Sequence, residues 1–457
     1  MRHRVIHLVN PKTDSLTTRP LYLNRALYSP LAGLLAVAGA IPRDRYDVVL
    51  TDENIESIDF DLRADLVGIS AMTCYVNRGY EIADAFRRRG VPVVMGGFHA
   101  TLMTDEVKDY AEAVVVGEAE ELWPHVIEDA RTGRLKPIYQ SNSQPDLGQA
   151  RYDRSLFRGR RYLRLGLVET GRGCRFPCDF CAVQTFFQRT ARHRPIDAIL
   201  SEIASLKNEK KLFFFVDDNF AADLAFARDL AEALAPLGIR WVTQMSINAA
   251  HDEAFLAALA RAGCSGVLIG FESLDEGVLR AMKKRFNTMR GGYTAALANL
   301  RRHGIRVYGT FVFGYDGERA DAFDEAAAFA IDHRFYLAAF NHLTPFPGTP
   351  LFARLKREGR LLYERWWLDE RYGYNGIPFQ PKTMAPDDIR QGCLRARRRF
   401  YTWKSIMRRA FDPVNRADAF MFRNFFAING MHHVEVDKRD HFPLGDPTWN
   451  GPLLKTA

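Results

Sequence analysis

RVIHLVN, DVVLTDEN, ADLVGIS, VPVVMGG and AEAVVVGE are five apolar runs in the first 140 residues, each bounded by Gly, Pro, Asp or Asn. Helix-length segments separate them. Near-continuous apolar strands are buried on both faces, an environment that a parallel sheet covered by helices provides. Residues 1–140 are therefore expected to form a doubly wound α/β domain. Ligands of such sheets sit beyond the carboxyl ends of the strands. The residues standing there are Asn10, Asp52, Glu53, Asn54, Ser70, Thr73, Gly96, Gly97, His99, Gly117 and Glu118. So many small and polar strand ends suit a ligand that approaches the backbone closely. Each glycine taken alone is equally explained by a tight strand-to-helix turn.

A polar connection, QSNSQPDLGQARYDRS, marks residues 141–155 as a linker. A second alternating series follows it: LRLGLVETG, KLFFFVDDN, RWVTQMSIN, GVLIGFES, RVYGTFVFG and FYLAAFNHLTPF. Between these lie segments such as PIDAILSEIASLKN and AFARDLAEALAPLG, whose apolar residues recur at helical spacing. Strand–helix units in unbroken succession predict a full or partial parallel barrel over residues 156–350, with its chemistry at the C-terminal strand ends. From about 351 the pattern weakens into helical stretches, many aromatics and the tail NGMHHVEVDKRDHFPLGDPTWNGP. Residues 351–457 are expected to form a smaller, mainly helical domain covering the barrel mouth.

At 457 residues the chain is too long for one core, and its 47% apolar and 26% charged residues are ordinary globular composition. No run of about 18 uncharged apolar residues occurs, and the N-terminus reads as a first strand, not a signal peptide. A cytoplasmic location, where thiols stay reduced, is the expectation. The net charge of +8 is spread along the chain. One denser patch, RARRRFYTWKSIMRR from Arg395 to Arg409, reads first as a solvated helix face. A surface for an anionic substrate or lipid is the alternative, and no nucleic acid is expected.

Three of the six cysteines, Cys174, Cys178 and Cys181, fall in GRGCRFPCDFCAV, directly after the first barrel strand. Disulfides are disfavoured by the reduced compartment and the odd local number. Structural zinc wants a fourth ligand, and neither a second C-x-x-C nor a suitably spaced His accompanies the motif. Three thiolates with one position open suit an iron–sulfur cluster that binds a further group at its fourth iron. Gly171 and Gly173 would let backbone approach the sulfides, and Phe176 and Phe180 would shield them. Cys74, Cys264 and Cys393 read as inert buried thiols.

The spacing C-x-x-x-C-x-x-C, with Phe180 before the third cysteine, resembles the signature of the radical S-adenosylmethionine superfamily. The preceding domain resembles the cobalamin-binding domain of its largest subgroup. The C-terminal part is similar, less specifically, to hopanoid-methylase and porphyrin-cyclase-like members. The resemblance implies that Cys174, Cys178 and Cys181 hold a 4Fe-4S cluster whose open iron chelates S-adenosylmethionine. It implies reductive cleavage to a deoxyadenosyl radical that abstracts hydrogen. Asp218, with Asp217 and Asn219 beside it, would pin the methionine ammonium, though either Asp taken alone serves equally as a helix cap or strand-end partner. Gln244, Ser246 and Asn248 would hold ribose or carboxylate, and Glu272 would be an acidic group facing the site. Tyr308, Thr310 and Phe313 would wall the adenine or substrate.

The base-replacing motif D-x-H-x-x-G is missing from the comparable stretches NPKTDS and TDENIES. Cobalamin would then bind with no protein imidazole below cobalt, and a first domain that has lost the cofactor is the alternative. His99 is expected at the corrin edge or in a capping role. The function implied is a cobalamin-dependent methyltransferase acting on an unactivated carbon of a small, hydrophobic or lipid-like molecule. An electron donor such as flavodoxin or ferredoxin is implied, and peripheral membrane contact fits the basic C-terminal region. The alternatives are a cyclase or oxidase, transfer of the 3-amino-3-carboxypropyl group, or a non-catalytic metal-binding module.

Overall fold

The computed structural model describes residues 4–12, 32–160, 162–288, 291–373, 375–436 and 453. Strands β1 (Arg4–Asn10), β2 (Tyr46–Asp52), β3 (Leu66–Ser70), β4 (Val93–Gly96), β5 (Ala113–Val116) and β6 (Ile138–Gln140) form one sheet in the order β2-β1-β3-β4-β5-β6. All of its pairs are parallel. Because the winding reverses at β1, its crevice opens between the ends of β1 and β3. The sixth strand adds to the five expected from the apolar runs. It is an edge strand with one buried residue, Tyr139, too short to give a readable pattern.

Strands β7 (Leu165–Val168), β10 (Leu212–Phe215), β11 (Trp241–Gln244), β12 (Cys264–Glu272), β13 (Arg306–Phe313) and β14 (Leu337–His342) form the second parallel sheet, in sequential order. The short antiparallel pair β8 (Gly171–Gly173) and β9 (Ala191–His193) stands apart from it. Six sequential parallel strands make a partial barrel. Burial alternates along β13, with Val307, Gly309, Phe311 and Phe313 buried and Tyr308, Thr310 and Val312 half-buried. The buried set faces the helix layer, where Phe311 stacks on Phe340 at 5.5 Å and Phe313 packs on Phe323 at 4.5 Å. Rings buried this completely cost roughly 3–5 kcal/mol each when truncated to Ala. The half-buried set lines the lumen, since paired residues of a parallel sheet share a face. Phe313 therefore belongs to the outer core and not to the substrate wall expected of it.

The linker is an ordered strap. Leu147 is buried, Asp153 receives Arg43 at 2.9 Å, and Arg192 donates to Pro145 O at 2.8 Å.

The described residues between 351 and 436 do not gather into a cover over the mouth. Trp366, Trp367 and Tyr372 join the core of the first sheet, and Trp367 Nε1 donates to Glu106 at 2.9 Å. The helix Pro386–Phe400 lies along the free edge of β14, where Arg397 Nε donates to Phe340 O and Tyr401 Oη to Ala338 O, both at 2.8 Å. One helical turn between the donors, about 6 Å, matches two strand residues, about 6.6 Å. The edge is thereby blunted without a seventh strand. Helices Trp403–Ala410 and Ala419–Glu435 pack beneath the strand starts Leu212, Val242 and Leu337. They seal the foot, not the mouth, because their apolar residues fit the open lower end of the lumen. The expected tail is helical as far as Glu435, and its residues 437–452 lie outside the described residues. Among the described residues, no helix is long and apolar enough to cross a membrane.

Candidate active site

The loop carrying the three cysteines starts at the end of β7 and is pinned by the paired aspartates that end β10. Asp217 accepts from Thr170 N at 2.6 Å, from Gly171 N at 2.9 Å and from the Thr170 hydroxyl. Asp218 accepts from Gly173 N at 2.7 Å. A Cβ at Gly171 would stand 2.5 Å from Arg192 O, and one at Gly173 2.2 Å from Thr190 O. These glycines are required by the close β8–β9 pairing, and not by an approach to sulfides. Asp217 is buried with both oxygens engaged, so it braces the loop and has no oxygen to offer a ligand. Asp218 keeps one oxygen free, and burial pushes its carboxyl up to about 6 despite the Gly173 N–H.

Cys178 is buried, while Cys174 and Cys181 are half-buried. Burial raises all three thiols, Cys178 to about 12, with Lys284 pulling the other way. Such thiols are neutral unless a metal deprotonates them. Asn219 Nδ2 donates to Cys174 Sγ at 3.7 Å and to Ser246 Oγ at 3.2 Å, the kind of sulfur contact that tunes a cluster. Phe176 stacks on Phe286 at 3.9 Å beside the loop. Among the described residues, no three His, Cys, Asp or Glu side chains close around a single ion. The motif supplies three soft ligands, the number a 4Fe-4S cluster with one open iron takes, whereas structural zinc takes four.

Around this loop the structure gathers Asp218, Asn219, Ser246 and, across the lumen, Glu272. Gln244 Nε2 donates to Asp217 O, tying β11 to β10. Asn248 Oδ1 is a buried acceptor without a partner among the described residues. Glu272 sits at φ 63° where the β12–β13 register shifts, a strained conformation of the sort kept at functional sites. Its carboxylate pairs with Lys284 Nζ at 2.6 Å, and Lys284 also donates to Gly270 O at 2.9 Å.

The strand ends of the first sheet divide differently. Asn10 and Asn54 both donate to Asp52, at 2.9 and 2.8 Å, and Tyr162 closes the knot on the other Asp52 oxygen. Glu53 is spent on Arg78. His99 is fully buried, with Nδ1 on Thr73 at 3.1 Å and Nε2 on Glu106 at 3.1 Å. It is a core histidine, because Tyr80 and Trp367 enclose it through the same glutamate. Glu118 is committed to Arg172 and Arg192. Left open at the crevice are Ser70, Gly96, Gly97 and Gly117. Gly97 has φ 92° and a Cβ there would stand 2.8 Å from Ser70 Oγ, whereas Gly117, at φ 83°, faces open space. Strand ends with so little side chain let a ligand approach the backbone closely.

The radical SAM superfamily model matches residues 168–330, and a B12 binding domain model matches 19–127. Over 413 residues the chain is 31% identical to bacteriochlorophyllide d C-12(1)-methyltransferase of Chlorobaculum tepidum, covering 88% of each protein. The chain belongs to the radical SAM superfamily. Within it, bacteriochlorophyllide d C-8(2)-methyltransferase of the same organism is 28% identical over 89% of this chain and 93% of its own. The methyltransferase TsrM from Kitasatospora setae, solved with cobalamin and a [4Fe-4S] cluster, shares the fold: TM-score 0.63 and 17% identity, over 96% of this chain and all of that one. Residues 349–423 match a domain of unknown function, DUF4070.

Three features of this radical SAM chain escaped the sequence reading. Lys284 is one of two adjacent lysines, and nothing local marks it as the partner of Glu272. Arg172 hides inside the cysteine motif yet pairs with Glu118 and Glu120 of the first domain, both at 2.6 Å. Phe98, next to Gly97, stacks on Phe186 of the cysteine loop at 4.4 Å. The cysteine loop is thus docked directly on the B12-binding domain.

Proposed function

We propose that the chain is a cobalamin-dependent radical S-adenosylmethionine C-methyltransferase whose substrate is a tetrapyrrole of the bacteriochlorophyllide class. The similarity to the two bacteriochlorophyllide methyltransferases, end to end across both cofactor domains, carries this reading. Cys174, Cys178 and Cys181 would hold the cluster, and Ser70, Gly96, Gly97 and Gly117 would cradle cobalamin. Bound there, the cluster supplies the electron that cleaves S-adenosylmethionine, and cobalamin supplies the methyl relay. The chain itself binds and orients. The second oxygen of Asp218 would meet the methionine ammonium, Asn219 steadies the Cys174 sulfur, and Asn248 Oδ1 would accept from a ribose hydroxyl. The Glu272–Lys284 pair keeps a charged, strongly bonded wall beside Cys178. Phe214, Leu268 and Tyr308 offer the apolar lumen a macrocycle needs. The test is to reconstitute the protein anaerobically with iron, sulfide and hydroxocobalamin, then add reductant, S-adenosylmethionine and bacteriochlorophyllide d. Deoxyadenosine, S-adenosylhomocysteine and a methylated pigment are expected by mass spectrometry. Deoxyadenosine beside unmethylated pigment would overturn methyl transfer to this substrate, and methylthioadenosine would indicate aminocarboxypropyl transfer.

A cytoplasmic setting and an acidic low-potential carrier, flavodoxin or ferredoxin, fit a cysteine motif that needs reduced thiols and a net charge of +8. Contact with an anionic lipid surface is proposed for the foot of the barrel. Trp403, Met407 and Phe411 recur every four residues and are 52%, 41% and 58% exposed. Exposed Lys404, Arg408, Arg416 and Arg423 surround this stripe. Beside Phe411 opens a cavity of about 490 Å³ lined by Arg301, Arg334 and Arg408 and by Asp332 and Asp412, which pair with Arg408 at 2.9 Å and Arg301 at 2.7 Å. An apolar stripe set among bases matches an acidic headgroup layer. The full-length protein is expected to float with phosphatidylglycerol vesicles at low salt, and W403S/F411S to remain at the bottom of the gradient. Equal flotation of both proteins would rule this surface out.

A further inference from the structure

Five arginines lie on the edge helix, and Arg397 reaches the end of β14. Arg395 and Arg399 flank it on the same helix, and both pair with Asp324 on the outside. Arg397 uses Nε to cap Phe340 O, which fixes the guanidinium over the end of β14. Its two terminal nitrogens meet only neutral amide oxygens, Asn375 Oδ1 and Asn341 Oδ1, each at a long 3.4 Å. Among the described residues, no carboxylate lies within ion-pair distance of it.

Asn341 shows which side of the strand the guanidinium reaches. It pairs in register with Val312, and two residues earlier Ala339 pairs with Thr310 and Leu337 with Tyr308. These are the lumen-facing positions, and Asn341 is exposed there. Next in the chain, His342 is pushed down to about 3 by burial and by the Arg397 charge, so its imidazole adds no second positive charge beside the guanidinium. A half-buried guanidinium with only weak, neutral partners lacks the bidentate anion for which its planar fork is shaped. Leaving such a charge unpaired is costly, and the lumen is the direction from which a partner can come.

We propose that Arg397, oriented by Phe340 O and Asn341, receives a carboxylate carried by the substrate, whose apolar body lies against Tyr308, Val312 and Leu268. The proposal rests on the tetrapyrrole reading above and adds to it a chemical requirement: an acid, not an ester. It also gives the substrate a direction, with its acidic arm held at the β14 edge and its macrocycle extended across the lumen toward the cysteine loop.

The test compares pheophorbide a with its methyl ester, two tetrapyrroles that differ only in whether the side-chain carboxylate is free. Binding to the reconstituted full-length protein is followed by fluorescence polarisation of the pigment, without turnover. Charge-assisted hydrogen bonds contribute about 1.5–3 kcal/mol, so the acid is expected to bind about 10- to 100-fold more tightly than the ester. In R397Q the ester affinity is expected to be unchanged and the preference for the acid to fall to about onefold, while R397K, which keeps the charge and can still cap Phe340 O, recovers part of it. Equal binding of acid and ester by the unaltered protein would overturn the carboxylate receptor and leave the tetrapyrrole reading standing. Binding of neither pigment would sink that reading and the receptor built on it. A loss in R397Q that strikes acid and ester alike would reduce Arg397 to a cap on the sheet edge and overturn the proposal as well.

Discussion

Replacing Cys178 by Ala is expected to leave a folded protein that gains no iron–sulfur chromophore on reconstitution and cleaves S-adenosylmethionine only at background. Of the three motif thiols Cys178 is the most enclosed, at 7% exposure, and burial, helped by Cys181, Glu272 and Cys174 and opposed by Lys284, pushes it up to about 12. Only a metal makes a thiolate there, and two remaining thiolates leave one iron of the cluster without its protein ligand. The rest of the loop depends on other groups: Asp217 on Thr170 and Gly171, Asp218 on Gly173, and the β8–β9 pairing. None of these bonds uses sulfur, so the thermal transition should move by no more than a small-to-moderate core truncation, about 1–2 kcal/mol. Cys264 supplies the control. It is equally buried but packs in the outer core, bonding only to Gly266 O at 3.6 Å. C264A should lose some stability and retain chromophore and cleavage. Cleavage surviving in C178A, or lost equally in C264A, would refute the assignment of the motif.

What the sequence disclosed depended on how locally each feature is encoded. The two strand series were legible because buried parallel strands need continuous apolar runs, and the cysteine triplet because its spacing is compact. Edge strand β6 was not, since two of its three residues face solvent. The division of labour between Asp217 and Asp218 was equally hidden: adjacent residues on a strand end point to opposite sides, and which side holds the ligand depends on the Thr170–Gly173 backbone folding back over β10. His99 and Glu118 looked like ligand contacts because they follow strand ends. Their true partners, Glu106 and Trp367 for one and Arg172 and Arg192 for the other, come from segments that no local pattern connects to them. The C-terminal helices were read as helices from their periodicity, but periodicity does not say which end of a barrel they close. That was decided by Leu212, Val242 and Leu337 at the strand starts.

Arg172→Met is expected to undock the cysteine loop from the B12-binding domain. The Arg172 side chain is only 8% exposed and joins Glu118 and Glu120 at 2.6 Å and Glu169 at 2.9 Å. Methionine replaces the apolar stem but leaves these carboxylates clustered, with only Arg192 on Glu118 and the Tyr152 hydroxyl on Glu169 in compensation. Removing one partner from a buried ionic cluster costs about 3–5 kcal/mol, several times an exposed pair. The loss falls on the interface, because Glu118 and Glu120 belong to one domain and Arg172 lies two residues before Cys174. Each domain keeps its own core, so R172M should show an earlier melting step, faster tryptic cleavage within the strap at 141–160 and incomplete retention of the cluster, while the first domain melts as before. The carboxylates make the cause testable. If their mutual repulsion drives the loss, E118Q added to R172M should recover part of it, although E118Q alone is destabilising; two independent defects would simply add. An R172M protein that melts in one step at the unaltered temperature and keeps its full cluster would show that Phe98 stacked on Phe186, with Trp366 and Trp367 packed into the first core, is sufficient to hold the domains together, and that the ionic cluster is incidental to their docking.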